Sequence, residues 1–335
     1  MSKTRVGLIG AGGIARYHLR HLKQMDDVAV TAVTDVDAAR AEEIASQTGA
    51  RVFPDHRALL DSGTVDAVFV CVPPFAHTDQ ELLAAERGIH FFTEKPQALS
   101  MELARRVEAA VEKAGIVTAV GFQDRYQDIF DRLKRYLEDR RVGLMWGSWV
   151  GGMPGVPWWR RKEMSGGQHI EQTIHIFDSA RYLLGEVQRV SAMAATTELM
   201  ADVENYNVED ASAVTLHFES GAVGTIFSAC YLKVGRAGKS GLEIFTQNSR
   251  VEYRLRQSVT YYEGDQVREE LRMNDNGFLC DRTFIEAVQA GDPTRVRSPY
   301  SDANKTLAIV LAADESMRQN GKVVDVAAVA GGAVA

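Results

Sequence analysis

The stretch Arg5–Ala15, RVGLIGAGGIA, constrains the fold more than any other part of the chain. Val6, Leu8 and Ile9 make the short apolar run of a strand buried on both faces, and Gly10-Ala11-Gly12-Gly13-Ile14-Ala15 follows at once. Beyond it Ile14, Tyr17, His18, Leu19 and Leu22 recur at helical spacing, so a G-x-G-x-x-A loop lies between a strand and a helix. In that setting Gly10 permits the tight turn, Gly12 lets a pyrophosphate approach the backbone, and Ala15 keeps the helix close to the strand. The N–H groups of the helix start, at Gly13 and Ile14, face the phosphates. A second strand, Val28–Val33, ends at Asp35, 20 residues after Ala15, where a carboxylate accepts hydrogen bonds from ribose hydroxyls. A glycine pattern alone specifies little. The whole series of strand, loop, helix, strand and Asp predicts a dinucleotide-binding domain.

The rhythm continues to about residue 121. A helix over 37–48 ends at Gly49, Asp55 caps a short segment over 56–60, and 66–72 (DAVFVCV) is a fully apolar strand stopped by Pro73-Pro74. A helix over 77–87, a strand over 89–93, a helix from Ser100 to Ala114 closed by Gly115 and a strand over 116–120 follow. Such alternation predicts a parallel α/β Rossmann sheet covered on both faces, with ligands at the carboxyl ends of its strands. Asp35, Pro73, Glu94, Lys95 and the loop at Gly121 all fall at those ends.

Past residue 122 the pattern changes. A charged helix over 124–140, a Gly/Pro/Trp-rich loop over 151–167 and a helix over 168–184 precede mostly strand-like runs between 187 and 263. Val214, Leu216 and Phe218 alternate with Thr215 and His217, as in a sheet with one buried face. The expectation is an α+β domain with an open, mostly antiparallel sheet, finished by helices over 278–290 and 301–320. The domains are read as 1–121 and 122–325, with a disordered tail over 326–335 (VAAVAGGAVA).

Composition narrows the function. A chain of 335 residues with net charge −7 lacks the basic surface that nucleic acid requires. No apolar run approaches the roughly 20 residues of a membrane span. Met1–Arg5 leads straight into the first strand without a secretory leader, and the three cysteines fit neither a disulfide framework nor a zinc pattern, so a cytoplasmic location is expected and no metal.

Three groups carry chemistry. Lys95 precedes Pro96 at a strand end, where partial desolvation favours acid/base work, although a solvated turn lysine fits the same residues. Glu171 and His175 are four apart, which puts them on one helical face where a carboxylate can orient an imidazole. A surface ion pair has the same spacing, and a metal pair lacks a third ligand. Pro157-Trp158-Trp159-Arg160 can pack on a ring or sugar face and hold a polar group, or cover a domain junction.

Together GAGGIARYH, VPPFAHTDQELLAAERGIHFFTEKP, GFQDRY, WWR and SGGQHIEQTIHIFD resemble the Gfo/Idh/MocA oxidoreductases, named for glucose-fructose oxidoreductase and inositol dehydrogenase. The resemblance covers nearly the whole chain. It implies hydride transfer between a nicotinamide dinucleotide and a hydroxyl of a sugar, polyol or cyclitol, in a homo-oligomer, dimer or tetramer, built through the open sheet. Lys95 matches the family's active-site lysine and His175 its histidine, while Glu171 stands where the family usually has Asp. Arg125, Trp158 and Gln172 join Lys95, Glu171 and His175 as the expected substrate contacts. Pro73, His77, Glu94, Lys95, Trp159 and Arg160 join Gly10, Gly12, Gly13, Ile14 and Asp35 as the expected cofactor contacts. Asp35 beside Val36 offers no cation for a 2′-phosphate, which selects NAD over NADP. Two other functions fit the same family: an enzyme that retains NAD and uses transient oxidation for glycoside cleavage or isomerisation, and a non-catalytic regulator that binds NAD or sugar.

Overall fold

A computed structural model describes residues 3–233 and 238–332. From the N-terminus the elements are β1 (Thr4–Ile9), α1 (Gly13–Leu22), β2 (Val28–Thr34), α2 (Ala38–Thr48), β3 (Arg51–Val52), α3 (His56–Leu60) and β4 (Ala67–Val70). Then come α4 (Gln80–Glu86), β5 (His90–Thr93), α5 (Met101–Ala114) and β6 (Thr118–Val120). The six strands form one parallel sheet in the order β3-β2-β1-β4-β5-β6. Strand order reverses between β1 and β4, which is where such sheets bind dinucleotides. Caps legible in the sequence are present: Asp37, Asp55 and Ser100 accept from backbone N–H groups, and Gly49 and Gly115 close their helices in the left-handed conformation. The helix expected over 77–87 starts only at Gln80, because Pro74–Ala76 forms a separate turn and His77 is extended.

The chain continues with α6 (Asp128–Glu138), β7 (Val142–Val150), α7 (Lys162–Ser165), α8 (Gln168–Glu171), α9 (Ile174–Leu184) and β8 (Val187–Ala195). β9 (Ala211–Phe218), β10 (Val223–Ala229), β11 (Lys239–Thr246), β12 (Arg250–Arg254), β13 (Ser258–Glu263) and β14 (Gln266–Leu271) follow. After them come α10 (Asn276–Ala290), α11 (Tyr300–Arg318), β15 (Val324–Asp325) and α12 (Val326–Gly331). The second sheet has nine strands in the order β14-β13-β12-β11-β7-β10-β9-β8-β15 and is antiparallel except where β7 meets β10. Helix α9 lies close on it. A Cβ at Gly147 of β7 would fall 2.9 Å from the Ile176 side chain, so glycine is what admits the helix there. On the strands Val214, Leu216 and Phe218 are buried while Thr215 and His217 are exposed, and Leu144, Trp146 and Phe227 are exposed too.

The chain forms two compact units, and they do not divide at one point. Residues up to Tyr126 and Asp275–Ala303 make the first; Gln127–Asn274 and Asn304 onward make the second. This corrects the sequential boundary at 121/122. Helix α10 belongs to the first unit because Phe284, Ile285 and Ala287 complete its core with Leu19, Leu22 and Phe69. The tail expected to be disordered is helical over Val326–Gly331, capped by Asp325, whose carboxylate accepts from Ala327 and Ala328. Residues 333–335 of that expectation lie outside the described residues. The helix expected over 168–184 is two, α8 and α9. Thr173 N–H reaches back five residues to the Gln168 carbonyl at 2.9 Å, a wider turn that interrupts the i, i+4 stacking of Glu171 and His175.

Candidate active site

In the first unit the loop after β1 is shaped for a pyrophosphate. Gly10 has φ +96°, and a Cβ there would lie 2.5 Å from the Cys71 carbonyl oxygen at the end of β4. Gly12 and Gly13 have nothing within 4 Å of where a Cβ would stand. The start of α1 has Gly12 as its N-cap, with no side chain capping it and no acidic residue in its first turn, so its N–H groups and dipole face that opening. Asp35, just past β2, accepts from Ala11 N–H at 2.6 Å through one oxygen and from Asp37 N–H at 2.8 Å through the other. It therefore holds the glycine loop as well as presenting a carboxylate to a ribose. Among the described residues no cation pairs with it; Arg40 is bound to Asp37 at 3.2 Å. These residues fit a dinucleotide without a 2′-phosphate.

At the neighbouring strand ends, His77 is buried with Nδ1 2.7 Å from Glu81, and Thr93 donates to the same carboxylate at 2.6 Å. Pro73 turns the chain out of β4 in extended conformation. Lys95 follows β5 half-buried, its peptide bond to Pro96 is cis, and its N–H donates to Glu94 Oε2 at 3.2 Å. Glu94 packs against Gly121, where a Cβ would approach Oε1 to 2.5 Å. Its other partner is His18 of α1, whose Nε2 is 3.1 Å away; His18 Nδ1 is 2.9 Å from Asp281 of α10. Burial works against a charge on His18, but Asp281 and Glu94 outweigh it and hold the imidazole up to about 10. His18, His21 and Asp281 are, among the described residues, the group whose donor atoms could converge on a metal ion, yet each is already hydrogen-bonded within the group. Arg125 is only 2% exposed and donates to Asp302 at 2.5 Å and to the Arg297 carbonyl at 2.6 Å.

In the second unit the turn Pro157–Arg160 carries the tryptophans. Trp159 is fully buried and donates its indole N–H to Glu171 Oε2 at 2.9 Å. Trp158, half-buried, packs against the cluster of Trp159, Val208 and Cys230. Arg161 pairs with Glu163 at 2.5 Å and Lys162 with Glu209 and Asp314, which neutralises the basic run apart from Arg160. Arg160 Nε and Gln172 Oε1 are covered and have no hydrogen-bond partner among the described residues. His175, at the start of α9, stacks on Trp149 with centroids 6.0 Å apart and planes at 25°. The structure thus joins Glu171 to Trp159 and brings His175 against Trp149, within one unit.

Sequence reasoning passed over three of these residues. His18 falls within the apolar stripe of the first helix, Asp281 sits 263 residues from it, and Trp149 belongs to none of the motifs the sequence offers. The polarity of His18 on the inner face of α1 was the one local signal.

Residues 4–122 match the family described as "Oxidoreductase family, NAD-binding Rossmann fold", and residues 133–252 match the "GFO/IDH/MocA C-terminal domain". The chain belongs to the Gfo/Idh/MocA family of oxidoreductases. Its first unit is the family's NAD-binding domain. Among its relatives, myo-inositol 2-dehydrogenase of Thermotoga maritima is 29% identical over 95% of this chain and 98% of its own length. D-glucoside 3-dehydrogenase of Escherichia coli is 30% identical over 66% of this chain and 69% of its own. Levoglucosan dehydrogenase, solved in complex with NADH and levoglucosan, superposes with a TM-score of 0.86 at 22% identity, covering 97% of this chain and 100% of that one. That likeness supports the fold. No described helix is long and apolar enough to cross a membrane.

Proposed function

We propose that this oxidoreductase transfers a hydride between NAD and a secondary hydroxyl or keto carbon of a sugar, polyol or cyclitol. The observation that carries the reading is the pairing of an open glycine loop, with Asp35 and, among the described residues, no cation paired with it, and Lys95 at a strand end of the same sheet. The inositol and glucoside dehydrogenases among its relatives supply the substrate class. Bound NAD would supply a two-electron acceptor for the carbinol hydrogen; the remaining work falls to the chain. Oxidation breaks the C–H and O–H bonds and forms C=O, so a base must take the hydroxyl proton as the hydride leaves. Lys95 holds the reacting oxygen and stabilises its developing charge, and His175 takes the proton. Glu171, tied to Trp159, positions substrate or His175. Arg160 and Gln172 carry covered polar atoms that a polyhydroxylated ligand would satisfy. Arg125, bound to Asp302 and the Arg297 carbonyl, anchors the loop after β6 in this reading. The exposed face bearing Leu144, Trp146 and Phe227 is proposed as the homo-oligomer contact, to be checked by light scattering of the wild type and Trp146→Glu.

The deciding assay is NADH formation at alkaline pH against inositols, aldoses, glycosides and sugar acids, with NADP in parallel. Lys95→Ala and His175→Ala should each lower kcat by about 10²–10⁴-fold with NAD affinity retained. Tight NAD binding with no turnover of any panel member would reject net hydride transfer in favour of a retained-cofactor enzyme or a regulator.

A further inference from the structure

Helix α1 does more than present its N-terminus to phosphate. On its inner face His18 lies between two buried carboxylates, Nε2 at 3.1 Å from Glu94 and Nδ1 at 2.9 Å from both oxygens of Asp281. A carboxylate only accepts, and a neutral imidazole has a single N–H, so an imidazole that bridges two carboxylates must carry both protons. Asp281 is also met by His21 Nδ1 at 2.6 Å, while among the described residues the ionic partner of Glu94 is His18. Of the titratable groups around this imidazole, Glu94 comes from the end of β5, Asp281 from α10 and His21 from α1 itself. The Cys71 thiol after β4 is buried near the same carboxylates, and burial first, then Glu94 and Asp281, push it well up, so it adds no charge. The rings of Phe69, Phe92 and Tyr17, with centroids 5.0–5.5 Å away, enclose the imidazole.

Glu94 in turn is fixed on three sides. His18 holds Oε1, the Lys95 N–H donates to Oε2, and Gly121 supplies a wall with no side chain. We propose that His18 is a positioning residue: its imidazolium ties the dinucleotide helix to Glu94 and, through Glu94, sets the place from which Lys95 leaves β5. The proposal rests on Lys95 being the active-site lysine. His18 neither gives nor takes a proton in the reaction; it links the helix that faces the phosphates to the residue that faces the reacting oxygen.

The test uses the full chain in three arms. Nitrogen-15 histidine NMR of the NAD-free protein at pH 8 should show His18 with both ring nitrogens protonated. The acylation rate of Lys95 by an amine-reactive ester, read by mass spectrometry without NAD, should change at least about threefold in both His18→Phe and Glu94→Gln, the scale of a displaced side chain. On a substrate from the panel, each variant should lower kcat by about 10²-fold, His18→Phe with the NAD dissociation constant within about threefold, and the kcat of the double variant should be no worse than that of the weaker single. If His18→Phe fails to fold, His18→Gln, which keeps the bulk and one donor, takes its place in the labelling and kinetic arms. A neutral His18 at pH 8, unchanged Lys95 labelling in either variant, or losses that multiply in the double variant would each overturn the proposal. Absence of wild-type turnover would sink the dehydrogenase reading alone, since the NMR and labelling arms do not use substrate.

Discussion

Two glycines of one loop should answer the same substitution in opposite ways. Gly10 sits at φ +96°, where a β-carbon is strained, and that carbon would stand 2.5 Å from the Cys71 carbonyl oxygen and 2.9 Å from its carbon. Both obstacles are backbone. They belong to the end of β4, whose Cys71 N–H already bonds the Ile9 carbonyl at 2.7 Å, so relief requires β1 and β4 to part. The left-handed conformation alone costs about 1–2 kcal/mol, and overpacking adds about 1–3 kcal/mol. Gly10→Ala should therefore destabilise the first unit by about 2–5 kcal/mol. Gly12 differs on every count: φ −75° and ψ −165° suit alanine, and no atom lies within 4 Å of its absent Cβ. Gly12→Ala should leave the NAD-free protein as stable as wild type or firmer by up to about 1 kcal/mol, because the unfolded chain loses freedom. Its added methyl occupies the space through which a pyrophosphate nears the α1 N-terminus, and NAD affinity should fall by about 10²-fold, some 2.7 kcal/mol. Urea melts of the NAD-free variants and NAD titration by calorimetry separate the two effects. Gly12→Ala binding NAD as tightly as wild type would refute the placement of the phosphates, and a Gly10→Ala melt equal to wild type would refute the strain argument.

Three further expectations follow from named contacts. Trp159→Phe removes the indole donor to Glu171 and should cost about 1.5–3 kcal/mol in a urea melt, the range for a hydrogen bond to a charged group, with a fall in kcat exceeding that in NAD affinity. Asp35→Ser removes the carboxylate that opposes a 2′-phosphate but also the acceptor for Ala11 N–H; the NADP to NAD affinity ratio should rise at least about tenfold while NAD binding weakens. His18 has its pKa raised from 6.5 to about 10, so the folded form holds a proton that the unfolded chain releases. Its contribution is complete below about pH 6.5 and declines as pH rises to about 10, and the thermal midpoint should fall across that window in wild type and less in His18→Gln.

What the sequence made legible was local. The glycine loop, Asp35, the capping residues Asp37, Asp55 and Ser100 and the alternation of β9 are all signals contained in a few adjacent residues, and each is found in place. β14 escaped notice because Gln-Val-Arg-Glu-Glu-Leu is exposed along almost its whole length, so no buried face imposed a period on it. The return of α10 to the first unit escaped for a different reason: its apolar residues would suit either core, and only the assembled sheet determines which one they complete.

The same division separates the visible from the hidden parts of the candidate site. Lys95, Glu171 and His175 announce themselves by neighbours in sequence; the groups that hold them do not. Glu94 is held by His18, 76 residues away, and His18 by Asp281, 263 residues away. Glu171 illustrates the consequence. It stands where the family usually has Asp, and its neighbours in sequence do not account for the extra methylene. In the folded second unit Oε2 receives the Trp159 indole N–H at 2.9 Å from a fully buried ring that cannot move toward a shorter side chain without opening the core around Val208 and Cys230. Glu171→Asp should then behave as a loss, lowering kcat by at least about tenfold, if the longer carboxylate is matched to the tryptophan. Trp159→Phe combined with Glu171→Asp should lower it no further than the weaker single variant. Full activity in Glu171→Asp would show that the carboxylate is placed by its other contacts and that Trp159 merely fills the core.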